Sequence, residues 1–493
     1  MYLDLDSPFN YKLLCYSNIM NNQDLIESFS GIRGIYGQSI NEMLAYKYAI
    51  AYCFLFCNKK SVLVIAGDSR SSTLDLKKAM IKAFCDFGVK KVIDVALLPV
   101  QACELAVVNF RATGGVYITA SHNEPEYNGW KFLKNDGAIL YSEQSDKLIK
   151  SVHNFKEKSF KISKIKTKIL NKNDKAVSDY INYILKRIGK KSVLDIKNYG
   201  FKILLDPNGG SGTAILEKLL LKLGVSAEIV NNEPGIFKRM IEPNIVSLSY
   251  LKDKVSKGFG FGCGFDCDAD RVEFILPEGS LFTEQSGQMV SGQYVLALCV
   301  DAYLSFKKSK IVVVNDCTSY LVRDIIKKYK AKIKEVEVGE TNIVKEMEKQ
   351  KSLIGGEGSN GGVVIPPIKC RDGIMAMVLI LKLISERQKK LTDILYSYPR
   401  YYSERIKKQC LPDKMKIVKM ELEKHFKNKK YKIKKTGGIT GGLKILFDEN
   451  SYLWFRESKT ELGQFRIIAD GDNLEKVKNM LKIGGEVFDN IIK

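Results

Sequence analysis

Three aspartates at alternate positions, Asp266, Asp268 and Asp270, put three carboxylates on one side of an extended segment, where their repulsion is costly unless a cation lies among them. Hard oxygen donors at this density suit Mg²⁺. An EF-hand calcium loop would need glycine at Arg271 and glutamate at Pro277, so that reading fails. A solvated acidic turn is the bland alternative, but the apolar approach FGFGCGF at 259–265 would solvate lone charges poorly. A second reactive group is Ser121 in TASHN (119–123), a hydroxyl at the end of the apolar run GGVYIT, in a loop closed by Asn123, Pro125 and the Asn128-Gly129 turn signal. Such a serine can carry or attack a group, or simply cap a helix. A Ser-His hydrolase is disfavoured: there is no GxSxG, His122 adjoins the serine, and the other histidines are His153 and His425. Two further loops complete the set. Gly356, Gly358 and Gly361 satisfy GxGxxG, yet VVIPP follows instead of a helix and Glu357 sits where a pyrophosphate would approach; an acid there suits vicinal sugar hydroxyls, and a flexible linker is the alternative. Arg456, Ser458, Lys459 and Thr460 read as an anion cradle. No Walker A sequence occurs.

Elements able to position these loops recur. VLVIAGDSR (62–70), KILLDPNGG (202–210) and IVVVNDCTS (311–319) are each a short apolar run, a polar loop and then a helix-period stretch leading to another strand. Three uses of one βαβ unit predict an α/β protein with largely parallel sheets covered on both faces. Ligands of open α/β sheets bind beyond the carboxyl ends of strands, so the loops are expected to converge on a central cleft. From about Arg400, GLKILFDEN, SYLWFRESKT and FRIIAD predict a smaller α+β domain with hairpins.

With 493 residues, 27% charged and 45% hydrophobic, the chain can bury several cores, and two to four domains are expected. No apolar run approaches the ~20 residues needed to span a bilayer, and the start MYLDLDS is acidic, so a cytoplasmic protein without membrane contact is expected. The 11 cysteines are scattered without CxxC spacing, which argues for reduced thiols. Lys+Arg 78 against Asp+Glu 56 gives a net charge of +22, which suits an anionic small molecule or a nucleic acid. The basic clusters at 161–175 and 427–435 carry no nucleic-acid motif and read as solvated faces.

In this order, TASHNEPEYNGWK, DCDADR, GEGSNGG and RESKTE resemble the phosphoserine, metal, sugar and phosphate loops of the α-D-phosphohexomutase family, and FSGIRGIYG (29–37) is similar to its amino-terminal segment. The resemblance runs from about Glu27 to Leu481. It implies three related mixed or parallel α/β domains plus a smaller carboxyl-terminal one around a cleft, here divided as 23–160, 161–281, 282–388 and 389–493, with 1–22 as an extension. It also implies reversible phosphoryl transfer between the 1- and 6-positions of a hexose or hexosamine, through a hexose 1,6-bisphosphate that serves as intermediate and activator. Ser121 would carry the phosphoryl group, and Asp266, Asp268, Asp270 and the phosphoserine would hold one Mg²⁺. Lys131 and His122 would handle protons and phosphate, with Arg33 nearby, and Arg271 would bind the phosphosugar. Glu357 and Ser359 would grip sugar hydroxyls; Arg456, Ser458, Lys459 and Thr460 would hold the non-reacting phosphate. A phosphosugar substrate, no nucleic-acid partner and a monomer or homodimer are expected. Closure of the last domain is expected about a linker at 386–398. Departures are Lys459 for the family's usual glycine, Leu462 for proline, Glu124 for the first proline, Glu340 for a basic or aromatic residue, and GEGSNGG without the SGH ending. The last, with RDG at 371–373, looks closer to the archaeal-type branch.

Overall fold

The computed structural model describes residues 24–154, 161–358, 361–411, 413–438, 441–458 and 463–492. The 1–22 extension and Ser359, Lys459, Thr460 and Leu462 therefore lie outside the described residues.

Four sheets carry the chain. The first has seven strands in the order Ile26–Ser28, Gly31–Ile35, Tyr127–Lys134, Gly114–Ile118, Val62–Gly67, Lys91–Leu97, Lys168–Asn171. Its last four strands are parallel and its first three antiparallel to their neighbours. The second runs Met289–Val290, Val272–Ile275, Gly262–Phe265, Lys202–Asp206, Ser226–Ile229, and the third Lys332–Val336, Ile311–Asn315, Gly355–Glu357, Gly362–Val364. The fourth is antiparallel throughout: Tyr402–Gln409, Gln464–Gly471, Tyr452–Glu457, Leu443–Leu446, Lys432–Lys435. The three α/β units and the smaller carboxyl-terminal unit are thus as expected.

Two sheets overrun the expected divisions. Strand Lys168–Asn171 pairs with Lys91–Leu97 and so completes the first sheet beyond residue 160, and Met289–Val290 pairs with Val272–Ile275 beyond residue 281. Both are short edge strands whose partners, not their composition, place them.

The parallel strands are apolar because they are covered on both faces: Val62–Gly67 is buried from Leu63 onward, and all of Gly114–Ile118 is buried. One core continues from the first unit through the second into the third, and the fourth has its own around Leu422, Phe426 and Phe455. Helix Gly373–Arg387 lies within the shared core, with Gly373 to Ser385 all buried, which is why IMAMVLILKLIS is apolar on every side. Asp372 caps it by accepting from Met375 N at 2.8 Å.

Candidate active site

The serine loop is built around a buried arginine. Ser121 lies just past strand Gly114–Ile118 with φ +55°, a left-handed conformation a serine adopts only when its surroundings impose it. The surroundings are Asp68 and Arg70, at the end of strand Val62–Gly67. Asp68 Oδ2 accepts from Thr119 Oγ1 at 2.7 Å, and Thr119 Oγ1 accepts from Ser121 N at 2.7 Å. Arg70 donates to Asp68 Oδ2 at 3.1 Å and to the carbonyls of Ser121, Asn123, Glu124 and Tyr127, which wraps the loop around one guanidinium. The hydrogen-bond geometry of a fixed fork suits arginine to this task. Arg33, on strand Gly31–Ile35, donates to Asn123 Oδ1 at 3.3 Å.

Asp266, Asp268 and Asp270 follow strand Gly262–Phe265, and a carboxylate oxygen from each lies within 4.8 Å of the others. All three side chains are buried, and Asp266 Oδ2, Asp268 Oδ1 and Asp270 Oδ1 are buried without a hydrogen-bond partner. Three clustered aspartates, each with a buried oxygen that lacks a hydrogen bond, suit a divalent cation, and Arg271 Nε stands 3.8 Å from two of those oxygens. Burial, then Asp270 and Asp268, pushes the Asp266 carboxyl well up. Asp270 is held below the usual carboxylate range: burial alone would raise it, and Arg371, Lys131 and Arg271 outweigh that.

The serine and metal loops share partners. Lys131, on strand Tyr127–Lys134 beyond the serine, donates to Asp268 Oδ2 at 3.0 Å, and Val100 N donates to Asp268 O at 3.3 Å. Burial favours a neutral Lys131, yet Asp268 and Asp270 reverse this and hold it above its ordinary value, so it is an ammonium. Arg271 donates to Glu242 at 2.6 Å and lies 3.8 Å from both Asp266 and Asp270. The nearby Arg271 charge, burial and Arg33 together depress His122 well below the usual imidazole range, and its Nδ1 is buried without a partner. Those cations hold it in the neutral form.

The glycine-rich loop meets the metal loop backbone to backbone. A Cβ on Gly361 (φ +56°) would lie 1.9 Å from Val272 O and one on Gly362 2.4 Å from Asp270 O, so side chains there would force the loops apart. Glu357 is buried; its Oε1 accepts from Gly339 N at 2.9 Å and Asn315 Nδ2 at 3.3 Å, and its Oε2 from Arg371 Nη1 at 2.9 Å.

The fourth unit brings Arg456 to the third, where it donates to Glu337 Oε1 at 3.0 Å. Ser458 N donates to Gln464 O at 2.8 Å, joining the ends of strands Tyr452–Glu457 and Gln464–Gly471. The structure thus joins Arg33, Ser121, His122, Lys131, the three aspartates and Arg271 in one site, links Glu357 to it through Arg371, and sets Arg456 apart on Glu337. Sequence reasoning missed Arg70 and Arg371. The signal was present for both: an arginine two residues after a strand-end aspartate in AGDSR, and a charged RD pair heading the apolar run IMAMVLIL.

Three family models match: phosphoglucomutase/phosphomannomutase α/β/α domain I over residues 26–159, domain II over 178–279 and domain III over 291–401. The chain belongs to the phosphoglucomutase/phosphomannomutase family. It is 31% identical over 470 residues to a phosphoglucomutase/phosphomannomutase of Thermococcus kodakarensis, covering 94% of this chain and 98% of that one. It is 28% identical over 464 residues to a phosphoglucosamine/phosphogalactosamine mutase of Sulfurisphaera tokodaii, covering 92% and 96%. In fold it is similar to a phosphoglucomutase/phosphomannomutase family protein of Burkholderia thailandensis, with a TM-score of 0.77 at 18% identity over 94% of this chain and 97% of that one. No helix among the described residues is long and apolar enough to cross a membrane.

Proposed function

We propose that the chain interconverts hexose 1-phosphate and 6-phosphate through a phosphoserine at Ser121 and a bisphosphorylated sugar. The observation that supports this most is the buried aspartate trio, each member with one oxygen lacking a hydrogen bond, tied by Lys131 to the strand that follows the loop of a strained serine. Asp266, Asp268 and Asp270 would hold Mg²⁺ together with a phosphoserine oxygen, and the ion when bound supplies neutralisation of charge on the transferring phosphoryl group. The Lys131 ammonium donates to that group. As the sugar oxygen bonds to phosphorus and the Ser121 Oγ–P bond breaks, the hydroxyl proton passes to neutral His122; once the bisphosphate has turned end for end, Ser121 Oγ takes the phosphoryl group from its other end, the sugar oxygen released there receives the proton from His122, and the phosphoserine is restored. Arg33 and Arg271 balance phosphate charge, while Glu357 and Ser359 would hold sugar hydroxyls. Arg456, Ser458, Lys459 and Thr460 would hold the phosphate at the distal end, whichever carbon bears it. The hexose 1,6-bisphosphate thus doubles as activator, and a cytoplasmic setting fits substrates of this kind.

The relative at 31% identity favours glucose and mannose phosphates; glucosamine phosphate is the second reading, supported by the name of the Sulfurisphaera relative. The test is intact mass for one bound phosphoryl group, followed by coupled assays on mannose, glucose and glucosamine 6-phosphates with Mg²⁺. Ser121→Ala is expected to lose the phosphoryl mass and at least roughly a thousandfold in turnover, because no carrier remains. Full activity in that variant would sink the mechanism, and binding without isomerisation by the unaltered chain would make it a non-catalytic relative.

A further inference from the structure

One buried guanidinium joins the metal loop to the sugar loop. Arg371 Nη2 donates to Asp270 Oδ2 at 2.7 Å and Nη1 to Glu357 Oε2 at 2.9 Å, while its backbone N donates to Glu340 Oε2 at 2.8 Å, with Nε 3.7 Å from that same oxygen. These three acids come from three different segments: the aspartate loop of the second unit, the glycine-rich loop of the third, and the start of helix Glu340–Gln350. The side chain of Arg371 is only 10% exposed, and the chain leaves it at once into the buried helix Gly373–Arg387, capped by Asp372. Its backbone is therefore anchored by the helix, while the direction of its side chain is set by the acids it meets.

The division of oxygens gives the arrangement its meaning. On Asp270, Oδ2 is taken by Arg371, while Oδ1 is buried without a hydrogen bond, 3.8 Å from Arg271 Nε, and stays open to a cation. On Glu357, Arg371 holds Oε2, and Asn315 and Gly339 hold Oε1. Arg371 thus sets which way one cation ligand points and where one sugar-facing acid stands. A planar fork can do both at once; an ammonium can serve one carboxylate well and the second poorly. Outer partners of this kind orient the groups that touch a metal, and their loss costs affinity without removing a ligand.

We infer that Arg371 is a positioning residue that couples cation binding to hexose-phosphate binding, so that each ligand tightens the other through the Asp270–Arg371–Glu357 bridge. A cation on Asp270 fixes the carboxylate, which fixes the guanidinium, which fixes Glu357; whichever ligand arrives second finds that ordering already done. By linkage the effect is reciprocal. The inference rests on the hexose-phosphate reading of the site.

The experiment is a binding cycle on the phosphatase-treated full chain, in which no phosphoryl group is available for transfer. Mn²⁺ affinity is measured by electron paramagnetic resonance or calorimetry with and without glucose 6-phosphate, and again with inorganic phosphate. The unaltered chain is expected to bind Mn²⁺ at least about 5-fold tighter with glucose 6-phosphate. In Arg371→Lys that factor falls below about 2, while the smaller effect of inorganic phosphate, which acts by charge alone, stays unchanged. Glu340→Gln, which keeps an acceptor for Arg371 N but removes the third charge, gives an intermediate factor and carries the test if the lysine variant does not fold. An equal factor in the unaltered and variant chains, or none in the unaltered chain, overturns the coupling. A chain that binds Mn²⁺ but no hexose phosphate overturns instead the reading beneath it.

Discussion

Arg70 donates five side-chain hydrogen bonds, one to Asp68 and four to backbone carbonyls between Ser121 and Tyr127, and only 2% of the residue is exposed. The left-handed φ of Ser121 is maintained by these bonds and by the Asp68–Thr119 chain behind it. Arg70→Ala would leave Asp68 buried without its cation and the carbonyls without donors, a loss of roughly 3–5 kcal/mol by comparison with other broken buried pairs. Arg70→Lys keeps the charge but has no fork to span several carbonyls, so it should fall between. Urea unfolding of the three chains checks the order, and an alanine variant within 1 kcal/mol of the unaltered chain, in the sense of an ordinary surface change, would show that the loop holds itself. The functional consequence belongs to the same residue: the proposed phosphoryl transfer should fall further than stability, because the backbone that sets Ser121 would relax.

At the scale of elements, the sequence made the parallel strands and the hairpins of the fourth unit plain and left the short antiparallel strands of the third sheet obscure. IVVV and VLVIA are buried on both faces, so their apolar runs stand out against the polar loops that follow. Gly355–Glu357 and Gly362–Val364 are three residues each and rich in glycine, and only their pairing makes them strands. The same contrast separates the site residues. Ser121 and the aspartate trio were legible because reactive side chains sat together in short loops. The bridge of Arg371 was not, because Asp270 and Glu357 lie 101 and 14 residues from it and nothing local marks their convergence. A further element-level contact was equally hidden: Asp470, in strand Gln464–Gly471, accepts from Tyr320 N at 3.0 Å and so docks the fourth unit on the first turn of helix Tyr320–Lys328. Burial pushes Asp470 up to about 6. A carboxyl whose folded value exceeds its unfolded one binds more protons folded than unfolded between about pH 4 and 6, so stability falls as pH rises through that window and the full penalty is present above it. Asp470→Asn keeps an acceptor and cannot ionise. Its melting temperature should match the unaltered chain near pH 4 and exceed it at pH 7.5, the gap from about 6 to the ordinary value being worth at most roughly 3 kcal/mol. A difference that does not change with pH would show that Asp470 ionises without cost.

At the scale of the whole molecule, the expected linker at 386–398 is packed against the third unit. Asp301 is buried and accepts from Arg387 Nη2 at 2.7 Å and from the Tyr398 hydroxyl, and helix Leu391–Tyr396 between them places Leu391, Ile394 and Leu395 in the shared core. The Tyr401 hydroxyl donates in turn to Asp324 at 2.8 Å, and between these anchors lie Pro399 and Arg400, the latter donating to Ser286 Oγ at 3.1 Å. Across that connection the two units meet through charge: Lys444 with Glu335 at 2.6 Å, and Arg456 with Glu337 at 3.0 Å. The second pair bears on function, since Arg456 is the residue proposed to receive the distal phosphate and its Nη2 is shared with a carboxylate. A phosphate arriving there must compete with Glu337, and the exchange of one anion for another leaves the fourth unit free to resettle on the substrate. Glu337→Gln removes the competing charge and keeps a neutral acceptor. It should lower KM for hexose phosphate by about 2- to 10-fold, equivalent to roughly 0.5–1.5 kcal/mol for one hydrogen-bonded pair, with kcat falling if release of the product becomes slower. The same variant should show a smaller change in its scattering profile on adding hexose 1,6-bisphosphate than the unaltered chain, because its resting interface is already loosened. A raised KM would mean that Glu337 aims Arg456 at the phosphate and does not compete with it, and the closing movement would then have to begin from a joined pair.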